Sequence, residues 1–126
     1  NRGNHSRDFT YIDDAIESIA KLIYARPKKK KISNKVKLRP DISDAPFQIF
    51  NIGSSRPIEL NFLIKKIENR LKKNSKKKLL PLQKGDVKKT FADTSLVKKI
   101  TKVKMKTSLK TGIDNFITWY LQYYKK

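Results

Sequence analysis

Apolar residues at Ile12, Ala15, Ile16, Ile19, Ala20 and Ile23 recur at offsets of 3, 4, 7, 8 and 11, the spacing of one helical face. They predict an amphipathic helix over 12–25. Asp13, Asp14 and Glu17 crowd its first turns, where the positive end of the helix dipole favours carboxylates, and Pro27 must stop it. From 28 to 46 the sequence is basic, then Pro- and Asp-bearing, without a period, and reads as an exposed loop. Phe47-Gln48-Ile49-Phe50-Asn51-Ile52 is apolar on both alternating faces, which predicts a strand covered on both sides, as in a parallel sheet. Gly53-Ser54-Ser55 breaks it, and a helix follows with Leu60, Leu63, Ile64, Ile67 and Leu71 on its stripe. In doubly wound α/β proteins the loop between such a strand and helix lies at the ligand end of the sheet. A short strand is predicted over 78–82, ended by a turn at Gly85-Asp86. Asp93 or Thr94 is placed to cap a short helix through about Ile100. Thr107 or Ser108 is placed to start a last helix carrying Leu109, Ile113, Phe116, Ile117, Tyr120 and Leu121, with Trp119, Tyr123 and Tyr124 widening its apolar face. No internal repeat is present.

Composition narrows the chemistry. The 126 residues include 31 Lys plus Arg against 11 Asp plus Glu, a formal charge of +20, and 37% are hydrophobic. That apolar fraction is too high for a disordered tail, and the apolar runs are too short to span a bilayer, so a cytoplasmic protein with no membrane span is expected. The first residue is Asn and no apolar leader follows it, which reads as a piece of a longer polypeptide without a signal peptide. Absence of Cys excludes disulfides, thiolate catalysis and Cys-based zinc sites, and a single His excludes HExxH. Gly occurs only at 3, 53, 85 and 112, so neither dinucleotide-binding GxGxxG nor the P-loop GxxxxGK[ST] can be built. The one Tyr-x-x-x-Lys match, Tyr24 to Lys28, is broken by Pro27, which makes Tyr24 helix-end surface. His5 reads as a solvated loop residue, and the adjacent Asp13 and Asp14 point apart on a helix, which favours a dipole role over an acid/base pair. Trp119, Tyr120, Tyr123 and Tyr124 could stack bases, but helical spacing on an apolar face favours core packing. The cations suggest a second class, a stand-alone basic module binding RNA or DNA. Against it, the charge is mostly Lys, scattered over loops and helix outsides, with no nucleic-acid motif.

Several segments are similar, in order, to one enzyme family. Arg7-Asp8-Phe9-Thr10-Tyr11-Ile12-Asp13-Asp14 resembles the RDFTYxDD segment of extended short-chain dehydrogenase/reductases acting on nucleotide sugars. Pro40-Asp41 and the run from Ala45 to Gly53 resemble the PD…APFxxYNIG stretch of the UDP-glucuronate 4-epimerase branch. The runs from Leu80 to Val87 and from Thr90 to Asp93 are similar to its LPMQPGDVxxTYAD, with Lys84 for Pro and Phe91 for Tyr. Thr107-Ser108-Leu109 through Trp119-Tyr120 resembles its closing TSLxxGIxxFxxWY.

The resemblance implies an α/β fold class: the C-terminal fragment of an extended Rossmann-type nucleotide-sugar epimerase, mostly helical with a few short strands. Residues 1–57 would be the tail of the Rossmann-type part and 58–126 the C-terminal substrate-binding part. It further implies the substrate side of a NAD-dependent 4-epimerase interconverting UDP-glucuronate and UDP-galacturonate for surface polysaccharide synthesis. NAD and the catalytic Tyr/Lys pair would belong to the N-terminal part, so the chain would be catalytically incomplete alone. By carry-over Arg7 reaches the UDP-sugar diphosphate, a role suited to a guanidinium fork. Gln83 stands where galactose-type relatives place a second arginine, and Asp86 and Thr90 lie in the same substrate-cleft stretch. The implied partners are a UDP-sugar, the N-terminal Rossmann half and a family-like homodimer, with no specific nucleic acid.

Overall fold

The computed structural model of the chain describes residues 3–29 and 43–125. Most of the expected basic loop, including Arg39, Pro40 and Asp41, lies outside the described residues. The elements in order are β1 (Ser6–Arg7), α1 (Ile12–Leu22), β2 (Ile58–Glu59), α2 (Leu60–Leu71), α3 (Ser95–Thr101) and α4 (Leu109–Tyr123). The structure is mostly helical with short strands, as the resemblance implies.

Three helices form where the periodicity places them and α3 where its cap does, and local chemistry sets their ends. Ser108 starts α4, its Oγ accepting the Thr111 amide at 3.1 Å, which satisfies one of the orphan donors of the first turn. Before α3 the work is divided: Asp93 Oδ1 accepts the Ser95 amide at 2.9 Å, while the Thr94 hydroxyl lies 2.8 Å from Ser55 Oγ. α2 ends at Lys72 in the left-handed region, φ 53°.

The two expected strands do not form ladders. Over 47–52 the chain makes only a single-residue bridge, at Gln48. A strand needs neighbours on its edges, and among the described residues this one forms no ladder. The 78–82 segment forms no ladder among the described residues, Pro81 lacking an amide to donate, and Leu79, Leu80 and Leu82 are exposed. The sheet seen among the described residues is β1 with β2, antiparallel, with Ser6 opposite Glu59 and Arg7 opposite Ile58. A parallel bridge joins Ser6 to Lys89, so β1 lies between β2 and the 88–90 segment.

α2 packs on α4 and α1 on α3. Val97, Val103, Ile113 and Ile117 form the buried apolar centre. Its buried polar groups are hydrogen-bonded, as desolvation demands. Thr101 Oγ1 donates to the Val97 carbonyl at 2.8 Å, and Ser18 Oγ to that of Asp14 at 3.1 Å. Asp14 is not the exposed dipole group expected at the start of α1. It is buried, and its carboxylate accepts the Thr107 amide at 3.0 Å and hydroxyl at 3.1 Å, joining α1 to the entrance of α4. The aromatic face of α4 also departs from expectation: Trp119, Tyr123 and Tyr124 are exposed and stack on one another instead of entering the core, with Trp119 and Tyr123 centroids 5.4 Å apart.

Candidate functional site

The site grows outward from β1. Ser6 donates its amide to the Lys88 carbonyl at 2.9 Å and accepts the Thr90 amide at 3.2 Å. His5 accepts the Leu60 amide at 2.8 Å. Residues 5–7 are thereby fixed by main-chain bonds on both sides, which is what holds the Arg7 side chain in place.

Arg7 extends along the 86–88 segment. Its Nη1 donates to the Ser6 carbonyl at 3.0 Å and the Lys88 carbonyl at 3.3 Å, and its Nη2 to Asp86 Oδ1 at 2.9 Å. The other oxygen of Asp86 lies 3.0 Å from His5 Nε2, close enough for an ion pair although not aligned as a hydrogen bond. The Asp86 carboxylate thus sits between a guanidinium and an imidazole. His5 is only 15% exposed at its side chain, so it is part of this cluster and not the solvated loop residue its sequence context suggests.

Gln83 and Asp86 belong to one turn, with the Asp86 amide donating to the Gln83 carbonyl at 3.2 Å. Gly85 supplies the turn's left-handed residue, φ 86°. Gln83, Asp86 and His5 line a cavity of about 350 Å³ together with Asn61, Lys77 and Lys78. Arg7 touches this cavity through Asp86. Thr90 does not line it: its Oγ1 accepts the Asp8 amide at 3.0 Å, a bond that straightens the chain after β1. Arg7, Gln83 and Asp86 are therefore brought together, while Thr90 stands behind them as a main-chain support. The cations and the polar turn suit an anionic ligand.

One residue of the same motif emerges only in three dimensions. The Asp8 carboxylate accepts the hydroxyl of Ser54, the amide of Ser55 at 3.0 Å, that of Arg56 at 3.2 Å and that of Ala92 at 3.1 Å. Burial raises its pKa, and the bonds from Ser54, Ala92, Arg56 and Ser55 more than offset this, leaving Asp8 below its ordinary value of 3.8. The bonds hold Ser55 in the left-handed region at φ 57°, a conformation costly for a side chain with a Cβ. The pairing spans 46 residues of sequence, so no local spacing signals it.

The loop after 47–52 is consequently wrapped on Asp8. A Cβ added to Gly53 would lie 2.5 Å from Ala92 Cβ and 2.9 Å from Asp8 Oδ2, so its open side is filled by this chain. Gly53 therefore offers no open cradle to a dinucleotide pyrophosphate. Among the described residues no group of three or more His, Cys, Asp or Glu is placed to hold a metal ion. No helix among them is long and apolar enough to cross a membrane.

No protein-family model matches the chain. Protein CapI of Staphylococcus aureus is 37% identical over 126 residues, all of this chain and 38% of its own length. A probable UDP-glucuronate 4-epimerase of Rhizobium meliloti is 36% identical over 98% of this chain and 37% of its own. Among solved structures, UDP-glucuronic acid 4-epimerase from Bacillus cereus, in complex with UDP-glucuronic acid and NAD, matches with a TM-score of 0.71 and 26% identity. That match covers 97% of this chain and 34% of the other. The chain thus spans little more than a third of the relatives it matches. Over its whole length it is homologous to the C-terminal part of the UDP-glucuronate 4-epimerases and CapI, and its fold is that of the Rossmann-type nucleotide-sugar epimerases.

Proposed function

We propose that this chain is the substrate-side portion of a NAD-dependent nucleotide-sugar 4-epimerase, one that interconverts UDP-glucuronate and UDP-galacturonate for surface polysaccharide synthesis. It grips the UDP-sugar and completes the enzyme only with an N-terminal Rossmann-type part, which carries NAD and the proton-transferring groups. The observation that carries this reading is the whole-length likeness to the C-terminal part of such enzymes. The Arg7 cluster supplies its chemistry. Three of the five guanidinium N–H donors engage the Ser6 and Lys88 carbonyls and Asp86, which fixes the plane of the fork beside the cavity. A diphosphate takes Arg7 as a charge-assisted pair in competition with Asp86, and Gln83 offers an amide to the same ligand. Thr90 contributes indirectly, by holding the chain at Asp8.

The test is a hybrid in which this chain replaces the matched C-terminal 38% of Staphylococcus aureus CapI, titrated with UDP-glucuronate in a calorimeter. Arg7→Ala is expected to weaken binding roughly ten- to a hundredfold, the worth of a desolvated charge-assisted pair, and Arg7→Lys to recover part of the loss because charge returns without the fork. Arg70→Ala should leave affinity unchanged, since that guanidinium pairs with Asp114 at 3.2 Å. Equal affinity in the Arg7→Ala hybrid would assign Arg7 to the ion pair with Asp86 alone, and a hybrid that does not bind UDP-glucuronate would end the proposal.

A further inference from the structure

Among the described residues, His5 Nε2 is the buried side-chain nitrogen left without a hydrogen bond. The residue is pinned through its main chain, its amide donating to the Gly3 carbonyl at 3.0 Å and its carbonyl accepting the Leu60 amide at 2.8 Å. The imidazole is thereby held against the 83–86 turn with its side chain 15% exposed. A buried nitrogen in that state needs an account, because native interiors satisfy nearly all such groups. What it faces is Asp86 Oδ2, 3.0 Å away.

Asp86 is shared. Its Oδ1 takes Arg7 Nη2 at 2.9 Å while Oδ2 meets the imidazole. With a neutral imidazole the carboxylate belongs to the guanidinium, so an incoming anion must displace it and is repelled by it. With an imidazolium, Asp86 has a second counter-ion, its hold on Arg7 loses part of its worth, and the cluster gains a positive charge. The charge on His5 thus decides how firmly Asp86 occupies Arg7.

The surroundings single out His5 as the group that can change this balance near neutral pH. The other charged side chains lining the cavity are Lys77 and Lys78, from the segment after α2, and Lys77 is held by Glu68 at 3.0 Å. Glu59 of β2, opposite Ser6, and Lys84 and Lys88 of the turn segment are exposed. Lysines and carboxylates ordinarily titrate outside pH 6 to 8, whereas imidazole changes charge between about pH 5 and 8. His5 is the one histidine of the chain.

We infer that His5 is a positioning residue that gates the phosphate grip: its imidazolium takes Asp86 as counter-ion and releases the Arg7 fork to the diphosphate of a sugar nucleotide, so that binding tightens as pH falls. The inference rests on the function proposed above and adds a regulation of that same site. The proton comes from solvent and stays on the imidazole, which acts on the ligand only through Asp86 and Arg7.

The phosphates and the uronate of UDP-glucuronate stay ionised from pH 6 to 8, so a change in affinity over that range belongs to the protein. Calorimetry of the CapI hybrid at pH 6 and pH 8 is read against its His5→Gln variant, which cancels any titration in the CapI part. The hybrid is expected to bind about threefold more tightly at pH 6 relative to that variant, the scale of a partly exposed ion pair. Asp86→Asn should abolish the His5 response, because the imidazolium then has no carboxylate to take. An identical pH response in the hybrid and its His5→Gln variant overturns the inference. So does a His5 response that survives Asp86→Asn, since the imidazole would then act on the phosphates directly. A hybrid that binds UDP-glucuronate at neither pH ends the proposed function, and the gate is then decided without ligand in the ¹⁵N-labelled 126-residue chain. There the Arg7 Nε–H resonance should follow the titration of the one imidazole and cease to do so in Asp86→Asn. An Arg7 signal indifferent to the imidazole overturns the gate.

Discussion

At the scale of single residues, Asp8 and Gly53 matter more for the shape of the site than the residues expected to touch substrate. Asp8 gathers four donors from two distant segments, so its removal frees both the 53–56 loop and the chain at Ala92. Asp8→Asn is expected to cost about 2 kcal/mol in urea denaturation at neutral pH, the scale of hydrogen bonds to a charged group. The sign of the pH dependence follows from the direction of its pKa. A carboxyl lowered in the folded state stabilises fully above its ordinary value of 3.8 and loses that contribution as pH falls through the folded value. The penalty of Asp8→Asn should therefore be constant from pH 7 to about 5 and shrink below pH 4, and a penalty that grew on acidification would refute the assignment. Gly53→Ala places a methyl 2.5 Å from Ala92 Cβ, and overpacking of that kind costs about 1–3 kcal/mol. It is checked by the same denaturation. In sequence, Asp8 sits inside a recognisable motif, yet its partners lie from 46 to 84 residues away, so the motif could be seen without its purpose.

At the scale of elements, the helices divide by what their faces meet. α4 turns Ile113 and Ile117 into the core, and Ile117→Ala should cost about 2–4 kcal/mol as a cavity in a packed interior. α1 instead shows its isoleucines outward, so Ile16→Lys in the free chain should change stability by less than about 0.5 kcal/mol. Thermal melting of the two variants side by side tests the contrast. The segment after α2 is anchored by Glu68, whose Oε1 accepts the Ser75 hydroxyl at 2.7 Å and amide at 2.9 Å, with Lys77 Nζ 3.0 Å away. The Ser75 hydroxyl first, then its amide and Lys77, hold Glu68 at a pKa of about 2. This clamp leads directly into Lys77 and Lys78 at the cavity. With a depressed carboxyl, the clamp is complete above pH 4.5 and is lost as pH falls through about 2. The protection factor of the Ser75 amide, with its intrinsic exchange rate divided out, should hold to about pH 3 and fall below it, and Glu68→Gln should flatten that dependence.

At the scale of the whole molecule, charge and apolar surface pull in different directions. A net +20 guarantees attraction to any polyanion, but the cations neutralise phosphates without reading bases. Binding to duplex DNA or RNA is expected to fall by at least about tenfold between roughly 50 and 200 mM salt, and to be equal for unrelated sequences. Fluorescence anisotropy with two such duplexes measures both. Sequence-selective binding that survived the higher salt would revive the reading as a nucleic-acid module. The apolar centre of Val97, Val103, Ile113 and Ile117 is small, and the isoleucine stripe of α1 stays about half or more exposed.

The sequence by itself determined the helices, because α1, α2 and α4 each carry a 3.6-residue period and α3 a capping pair, with end signals such as Ser108 and Pro27. It also carried the likeness to the UDP-glucuronate 4-epimerases, through motifs whose order survives in a single chain. The Gly85 turn was equally legible, since a left-handed residue beside Asp86 needs only local chemistry. Tertiary structure alone decided which way α1 faces. Periodicity defines a stripe but not whether anything in the same chain covers it, and here Asp14 and Ser18 are drawn inward by Thr107 and the α1 backbone instead. It decided that 47–52 and 78–82 are not ladders, because strand pairing is a property of neighbours and not of composition. It also set His5, Arg7 and Asp86 in one cluster, 79 residues of sequence separating the guanidinium from the carboxylate it holds, a distance over which no pattern of spacing carries information and only the path of the folded chain does.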